Sequence, residues 1–444
     1  MLTAVDLSRK RKFLILIILM MAGASIYSLP YFRFSYYTPL QEALGLVGNN
    51  LAYGNLASVY GIVNLICYLP GGWIADKFST RKLLTFSMVS TGILGLIFAT
   101  FPPYPVTLAI HALWGLTTVL TFWSVYIKAV NVMSTSEEQG EMFGWLEGGR
   151  GVIGIIFTIG GLWLYQLLGA ASSDLALVIQ IISAFCILTG VLMFFMLPDI
   201  ASEDNDVGKV TAMQIITVLK VPTTWILAGI IFTTYIFAAG TSYLTPYLEF
   251  AFGLTAAMAG TVSAIRGEAA KIISGPLFGS ISKKQGKSTG IMKVAFVSLV
   301  LLSILLMIIP SNPTFLFLMI FIVIALGFFA FGLRGVYWAV VDELETPKYM
   351  VGTVVGVASI IGFIPDAFIY TLFGGIMDAN PGLPGFRMIF IIFIGVAVAG
   401  AIIAFIADRM IVKIQKKDKT ETNNVASMDV TNIQNQIVGG QINE

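Results

Sequence analysis

Gly71-Gly72-Trp73-Ile74-Ala75-Asp76-Lys77-Phe78-Ser79-Thr80-Arg81-Lys82 is a short polar break between two apolar runs. Paired glycines close the first run and let another helix approach closely. Asp76 can accept from the N–H groups of a neighbouring helix end, or pair with a cation. Lys77, Arg81 and Lys82 suit anionic headgroups at a membrane surface. The segment reads as a tight basic loop joining two membrane helices.

The rest of the chain has the same character. It is 57% hydrophobic and 11% charged over 444 residues, with mean hydropathy +0.88. A soluble chain carries roughly 25% charged residues. This composition excludes a water-soluble enzyme and a disordered chain. Net charge is only +2, so nothing points to nucleic acid. Cys67 and Cys186 lie in apolar runs without redox or zinc spacing, and His111 alone builds no metal site.

A membrane helix needs about 20 apolar residues. Twelve runs qualify, at 13–40, 51–74, 83–101, 105–131, 141–168, 174–196, 222–250, 257–280, 290–309, 314–341, 350–373 and 386–411. Numbered in that order, they give an all-α integral membrane protein. Lys and Arg cluster before span 1, after spans 2, 8 and 12, and between spans 6 and 7. By the positive-inside rule both termini are cytoplasmic. The basic, apolar start is read as an uncleaved first helix.

Residues 197–221 are the one long polar interruption among the spans, and they divide the chain six plus six. The expected organisation is a bundle at 1–196, a cytoplasmic linker at 197–221, a second bundle at 222–411 and a disordered cytoplasmic tail at 412–444. The halves repeat weakly. Gly72-Trp73-Ile74-Ala75-Asp76-Lys77 after span 2 is echoed by Gly279-Ser280-Ile281-Ser282-Lys283-Lys284 after span 8. Gly140-Glu141-Met142-Phe143-Gly144 is echoed by Gly352-Thr353-Val354-Val355-Gly356. Parallel repeats put a substrate site at their interface near the bilayer midplane.

The 71–82 segment resembles the major facilitator superfamily signature between helices 2 and 3. That signature runs Gly, three residues, Asp, a basic residue, then Gly-Arg-Lys or a variant. Tyr27-Ser28-Leu29-Pro30, Ser136-Glu137-Glu138-Gln139-Gly140, Gly148-Gly149-Arg150-Gly151 and Asp378-Ala379-Asn380-Pro381-Gly382 resemble the YihN-type branch of bacterial inner-membrane transporters. That branch is similar in turn to the organophosphate:phosphate antiporters. The resemblance implies twelve helices in two pseudo-symmetric six-helix bundles and transport by alternating access in the inner membrane. No cofactor is implied, and a monomer is expected. The phosphate exchangers pair an arginine in helix 1 with one in helix 7. Arg33 answers the first, but span 7 has no Lys or Arg.

An ionisable group inside a span is costly and marks function by default. Arg33, Lys128, Arg150, Arg266, Lys271 and Arg334 are six such cations, against the carboxylates Glu147, Glu268 and Asp366. The excess of cations favours an anionic substrate. Arg150 lies roughly 14 Å into span 5 at 1.5 Å per residue, three positions from Glu147 on the same face. Glu268 and Lys271 are also three apart, and Arg266 points elsewhere. Arg33 stands among Tyr27, Tyr31, Phe32, Tyr36 and Tyr37, as a cavity wall or an interfacial belt. Arg150, Arg266, Arg33, Tyr37 and Trp123 are therefore the substrate-binding candidates. Glu268, Asp366 and Glu147 are the proton carriers. Gly72, Asp76, Lys77, Arg81, Lys128 and Arg334 are the gate. Pro365 beside Asp366 marks a bend.

The reading is a secondary transporter of a small organic anion, such as a sugar phosphate, sulfonated sugar or organic acid. Its coupling partner is a proton or a counter-anion. A non-transporting sensor on the same fold and a proton-coupled exporter are the alternatives. The nucleotide-binding pattern Gly-x-x-x-x-Gly-Lys-Ser/Thr is absent, and no nucleophile, base or metal cluster suggests an enzyme.

Overall fold

The computed structural model describes residues 8–133, 139–198 and 212–440. Among these residues eleven helices are long and apolar enough to cross a membrane. They are Lys10–Ser28, Asn50–Tyr68, Thr80–Phe98, Tyr104–Val130, Met142–Leu168, Ser172–Met196, Pro222–Phe252, Thr289–Ile308, Pro313–Glu343, Met350–Ala379 and Leu383–Lys416. They correspond to spans 1–7 and 9–12. Span 8 is Ala256–Ala264, a π-helical turn at Ile265–Ala269, then Ala270–Gln285. It is the least apolar because Arg266, Glu268 and Lys271 fall in its middle. The described residues contain no strand, as backbone in lipid must satisfy itself within helices or closed barrels.

Helix ends follow local chemistry. Asn49, Ser79 and Thr255 cap spans 2, 3 and 8 by accepting from Ala52 N, Lys82 N and Met258 N. Gly253 and Gly286 end spans 7 and 8 in the left-handed region, with φ of 68° and 67°, where glycine costs least.

Three spans depart from regular helix. Span 1 stops at Ser28, since Pro30 lacks an N–H and disfavours helix just before it. A 3-10 turn at Phe32–Phe34 and a short helix at Tyr37–Ala43 continue the chain. Arg33 thus sits on a break, not on the continuous helix that 13–40 suggests. Span 4 carries a π-helical stretch at Leu116–Trp123. Span 11 divides into Lys348–Phe363 and Pro365–Ala379, as Pro365 predicts. The final helix runs from Leu383 to Gly440, so the segment after 412, expected to lack regular structure, takes helical backbone. A helix already nucleated in span 12 propagates without a new nucleation cost. Residues 199–211 of the linker, and Ser136-Glu137-Glu138 of the quoted stretch before span 5, lie outside the described residues.

Spans 1–6 pack on one another, as do spans 7–12, and the halves meet along two seams, span 2 with span 11 and span 5 with span 8. Without a hydrophobic driving force between helices in lipid, close packing of small residues holds such seams. Side chains at Gly54 and Gly61 would strike the carbonyls of Tyr370 and Asp366, and one at Gly374 the carbonyl of Asn50. Thr371 adds bonds to Asn55 Oδ1 (2.7 Å) and from its N–H to Ser58 Oγ (3.2 Å). The break in span 1 leaves the Phe34 carbonyl free, and the second half fills it with Ser263 Oγ (2.8 Å) and Thr245 Oγ1 (3.0 Å).

The seams are closed toward the end bearing Asn50 and Asp378. Toward the end bearing Asp76 they part. Gly144 and Gly148 of span 5, Gly275 and Gly279 of span 8, and Gly352 and Gly356 of span 11 face open space. The glycine stripe of span 5 is thus only partly packed, through Gly149 against Met20 and Gly151 against Ile272.

Candidate functional site

Between the two halves, the charged residues fall into separate groups. Arg150 of span 5 donates from Nη1 to Glu147 Oε1 at 2.5 Å, and its guanidinium lies 5.7 Å from the Tyr27 ring centre. Gly23 makes room for it, because a side chain there would run into Arg150 and Tyr126. Lys271 of span 8 donates to Glu268 Oε1 at 2.7 Å and lies over the Phe331 ring at 4.9 Å. Arg334 of span 10 donates to the Tyr235 hydroxyl at 3.1 Å and faces the Tyr235 and Phe331 rings at 4.9 and 5.7 Å. Asp366, at the bend of span 11, accepts from Tyr370 OH at 3.4 Å.

These six belong together. A side chain at Gly154 of span 5 would meet the Glu268 carboxylate, Lys271 and Arg334 flank the same Phe331 ring, and Tyr235, which holds Arg334, meets Phe363 beside the bend at Asp366 at 4.5 Å. Three cations and three carboxylates from spans 5, 8, 10 and 11 therefore form one balanced group across the halves. An aromatic wall adjoins it. Tyr27 meets Trp123 edge-on at 6.3 Å and Tyr31 meets Tyr60 edge-on at 5.4 Å, while Tyr68 meets Phe363 of the other half at 5.5 Å. Trp123 ends one π-helical stretch and Glu268 lies in another, a distortion often found at functional sites.

The remaining expected residues stand apart. Arg33 is 2% exposed and enclosed by four tyrosine rings. Tyr53 and Tyr37 from the first half lie at 4.4 and 5.2 Å, and Tyr370 and Tyr243 from the second at 5.4 and 5.5 Å. Its Nη1 donates to Tyr53 O at 3.0 Å. Arg33 and Tyr37 thus sit in the closed end, with cation–π contacts in place of a carboxylate, and Tyr370 touches both this enclosure and Asp366. Arg266 is 3% exposed. It donates to Ser263 Oγ at 2.8 Å and packs where Gly327 lacks a side chain. Two positions from Glu268, it lies on the other side of the helix. At the open end Lys128 pairs with Asp76 at 3.1 Å and donates to Ala75 O at 2.9 Å. Lys77 covers Trp73 and Arg81 covers Phe194, while Gly72 faces open space. Arg334, expected beside that gate, stands instead in the central group, where the Tyr235 hydroxyl and ring hold it.

Sequence reading missed Tyr53, Tyr243, Tyr370 and Tyr235. Their only signal was a phenol inside an apolar span. The Asp378 carboxylate was also missed as a contact. It crosses between the halves to accept from Asn50 N and Nδ2 (2.8 Å each) and Leu51 N (2.7 Å).

Two six-helix sets, seams closed at one end only, and a charged group between them define a membrane transporter of the secondary type. The chain belongs to the Major Facilitator Superfamily, whose profile matches residues 13–370. It is 34% identical over 402 residues to the inner membrane protein YqcE of Escherichia coli (strain K12), covering 89% of this chain and 94% of the relative. It is 30% identical over 404 residues to the inner membrane protein YihN of the same organism, covering 89% and 95%. In fold it is similar to a bacterial homolog of the human lysosomal transporter Spinster, in an inward-facing and occupied conformation. The TM-score is 0.70 at 14% identity, with 91% and 98% of the two chains covered. It is similar likewise to the nucleoside transporter NupG, with TM-score 0.70 at 15% identity, covering 90% and 99%. At such identities the likeness concerns the fold.

Proposed function

We propose that this chain moves a small organic anion across the inner membrane by alternating access, coupled to protons or a counter-anion, with both termini in the cytoplasm. In this reading 1–196 and 222–411 are the moving halves, 197–221 joins them, and 412–444 is a cytoplasmic tail. Asp76, Lys128 and their neighbours form the cytoplasmic gate.

The observation that supports it is the central group itself. It draws cations from both halves, at Arg150, Lys271 and Arg334, and opens toward the Asp76 end. The count of six cations against three carboxylates becomes three against three here, since Arg33, Lys128 and Arg266 lie elsewhere. That balance favours coupling. A neutral set of charges in a low-dielectric setting admits an anion at least cost when a proton neutralises one carboxylate at the same time. Arg150, beside Tyr27 and Trp123, suits an anion with a ring or a polyhydroxyl body.

Ligand-dependent thermal stability tests this. The purified protein is heated with inorganic phosphate, sulfate, glycerol 3-phosphate, gluconate and citrate, and with glucose and a quaternary ammonium as controls. Saturation to about 100 Kd stabilises by about 2.7 kcal/mol. The expected result is stabilisation by one anion class, weakened about tenfold or more in affinity by Arg150→Ala. Stabilisation by the neutral or cationic controls alone contradicts the anion reading.

A further inference from the structure

Spans 2, 4 and 11 enclose a groove of about 540 Å³ near the end bearing Asn50 and Asp378. Ligand pockets measure about 300–1,000 Å³, so the groove has room for an occupant. Every residue lining it falls inside a membrane-spanning helix, and Ile62 and Leu372 in it are 44% and 43% exposed. What surrounds it is therefore lipid. Spans 2 and 4 belong to the first half and span 11 to the second, so the groove exists only while the seam between spans 2 and 11 is closed.

Its polar and apolar parts lie at different depths. Ser58 and Thr371 are engaged across the seam, the Thr371 N–H donating to Ser58 Oγ at 3.2 Å and its hydroxyl to Asn55 Oδ1 at 2.7 Å. That arrangement leaves Asn55 Nδ2 with no acceptor among the described residues. Asn55 stands five residues after Asn50, about 7.5 Å in at 1.5 Å per residue. The interfacial layer of a leaflet is about 5–8 Å deep, so the bare amide reaches the level of lipid ester groups. A donor left bare in hydrocarbon is costly, and an ester carbonyl is the acceptor at that depth. Tyr104, which opens span 4 at the same end, adds a phenol as interfacial tyrosines do. Ile62 lies about 10 Å deeper than Asn55, and Val59, Leu108, Phe368 and Leu372 line the way with apolar surface.

We propose that this groove binds one acyl chain of a glycerophospholipid from the leaflet at the Asp378 end. An ester carbonyl accepts from Asn55 Nδ2, and the chain runs toward Ile62. Because the lipid touches both halves, it favours the state closed at that end and is released as spans 2 and 11 part. It is an effector of the transport cycle and not its cargo, so the inference stands apart from the anion reading.

The test uses a phosphatidylcholine with a photoactivatable diazirine midway along one acyl chain, added to the purified protein in detergent. Adducts should concentrate on peptides bearing Ile62, Leu108 and Phe368 and should be displaced by unlabelled dioleoylphosphatidylcholine. In Ala367→Trp, whose ring fills the groove, this labelling should fall about tenfold or more, as for a loss of about 1.4 kcal/mol or more in binding. Ile62→Trp fills it from the other half and should do the same. Melting curves without lipid separate both from misfolding. Titrating dioleoylphosphatidylcholine should also shorten the distance between spin labels near Asn50 and Asp378 in the wild type and not in Ala367→Trp. Adducts spread over lipid-facing residues such as Phe195 of span 6 and Phe317 of span 10, which are 75% and 84% exposed, would mean annular lipid only and overturn the site. Groove labelling without a change in the distance would overturn its preference for the closed end.

Discussion

Replacing Gly54 with valine should hold the transporter open at the end bearing Asn50 and Asp378 and abolish transport. Spans 2 and 11 close there because three glycines let backbone meet backbone, and a side chain at Gly54 would strike the Tyr370 carbonyl. A main-chain carbonyl in a helix cannot swing aside as a flexible side chain can. Overpacking of this kind costs about 1–3 kcal/mol, occasionally more. At tenfold per 1.4 kcal/mol, the closed state loses roughly 5- to 150-fold in population. The check is labelling of Asn55→Cys, at the same seam, by a membrane-impermeant maleimide added to each side of the membrane in turn. Cys67 and Cys186 are buried and contribute little background. Labelling should rise in the Gly54→Val background and uptake should vanish. Unchanged labelling with normal uptake would show that the seam does not have to close this tightly.

Asp378→Ala should produce the second large effect by a different route. The Asp378 carboxylate spans the halves and takes three N–H donors at the start of span 2. It thereby caps the positive end of that helix from the opposite half. Gln41 Nε2 steadies Asn50 by donating to its Oδ1 at 3.0 Å. Hydrogen bonds to a charged group contribute about 1.5–3 kcal/mol each. Water replaces part of this when that end opens, so a net loss of about 3 kcal/mol is expected. That corresponds to a shift of roughly 150-fold toward the state open at the Asp378 end. Distances between spin labels near Asn50 of span 2 and Asp378 of span 11 should lengthen in Asp378→Ala and less so in Asp378→Asn. A variant with the wild-type distance distribution would show that Asp378 merely decorates the closed end.

Much of this architecture was legible in the residues. The twelve spans follow from hydrophobicity alone, and span 8 was found despite three charges because its flanks remain apolar. The Glu147–Arg150 and Glu268–Lys271 pairs follow from helical spacing, and both form. Pro365 marked its bend.

The partition of charges was not legible, because it depends on where backbone irregularities aim each side chain. Pro30 breaks span 1 and carries Arg33 into a tyrosine enclosure that both halves build. Arg266 points away from Glu268, as two-residue spacing on a helix requires, but its burial against Gly327 of span 10 was not visible in the spacing. Counting charges in spans therefore overstated the positive character of the cavity. The Asp378-Ala379-Asn380-Pro381-Gly382 stretch was visible as a likeness, but its contact spans 327 to 328 residues of sequence, which no local pattern conveys.

The most direct test of the account is flux in liposomes that contain only this protein. An anion identified by the stability panel is supplied outside at pH 6 with the lumen at pH 8, and its internal concentration is followed. Accumulation above the external level, abolished when a protonophore collapses the pH difference, is the result expected of a proton-coupled secondary transporter. Tight binding without any flux, by protein shown to be folded and correctly inserted, would contradict it and establish a sensor on a transporter fold.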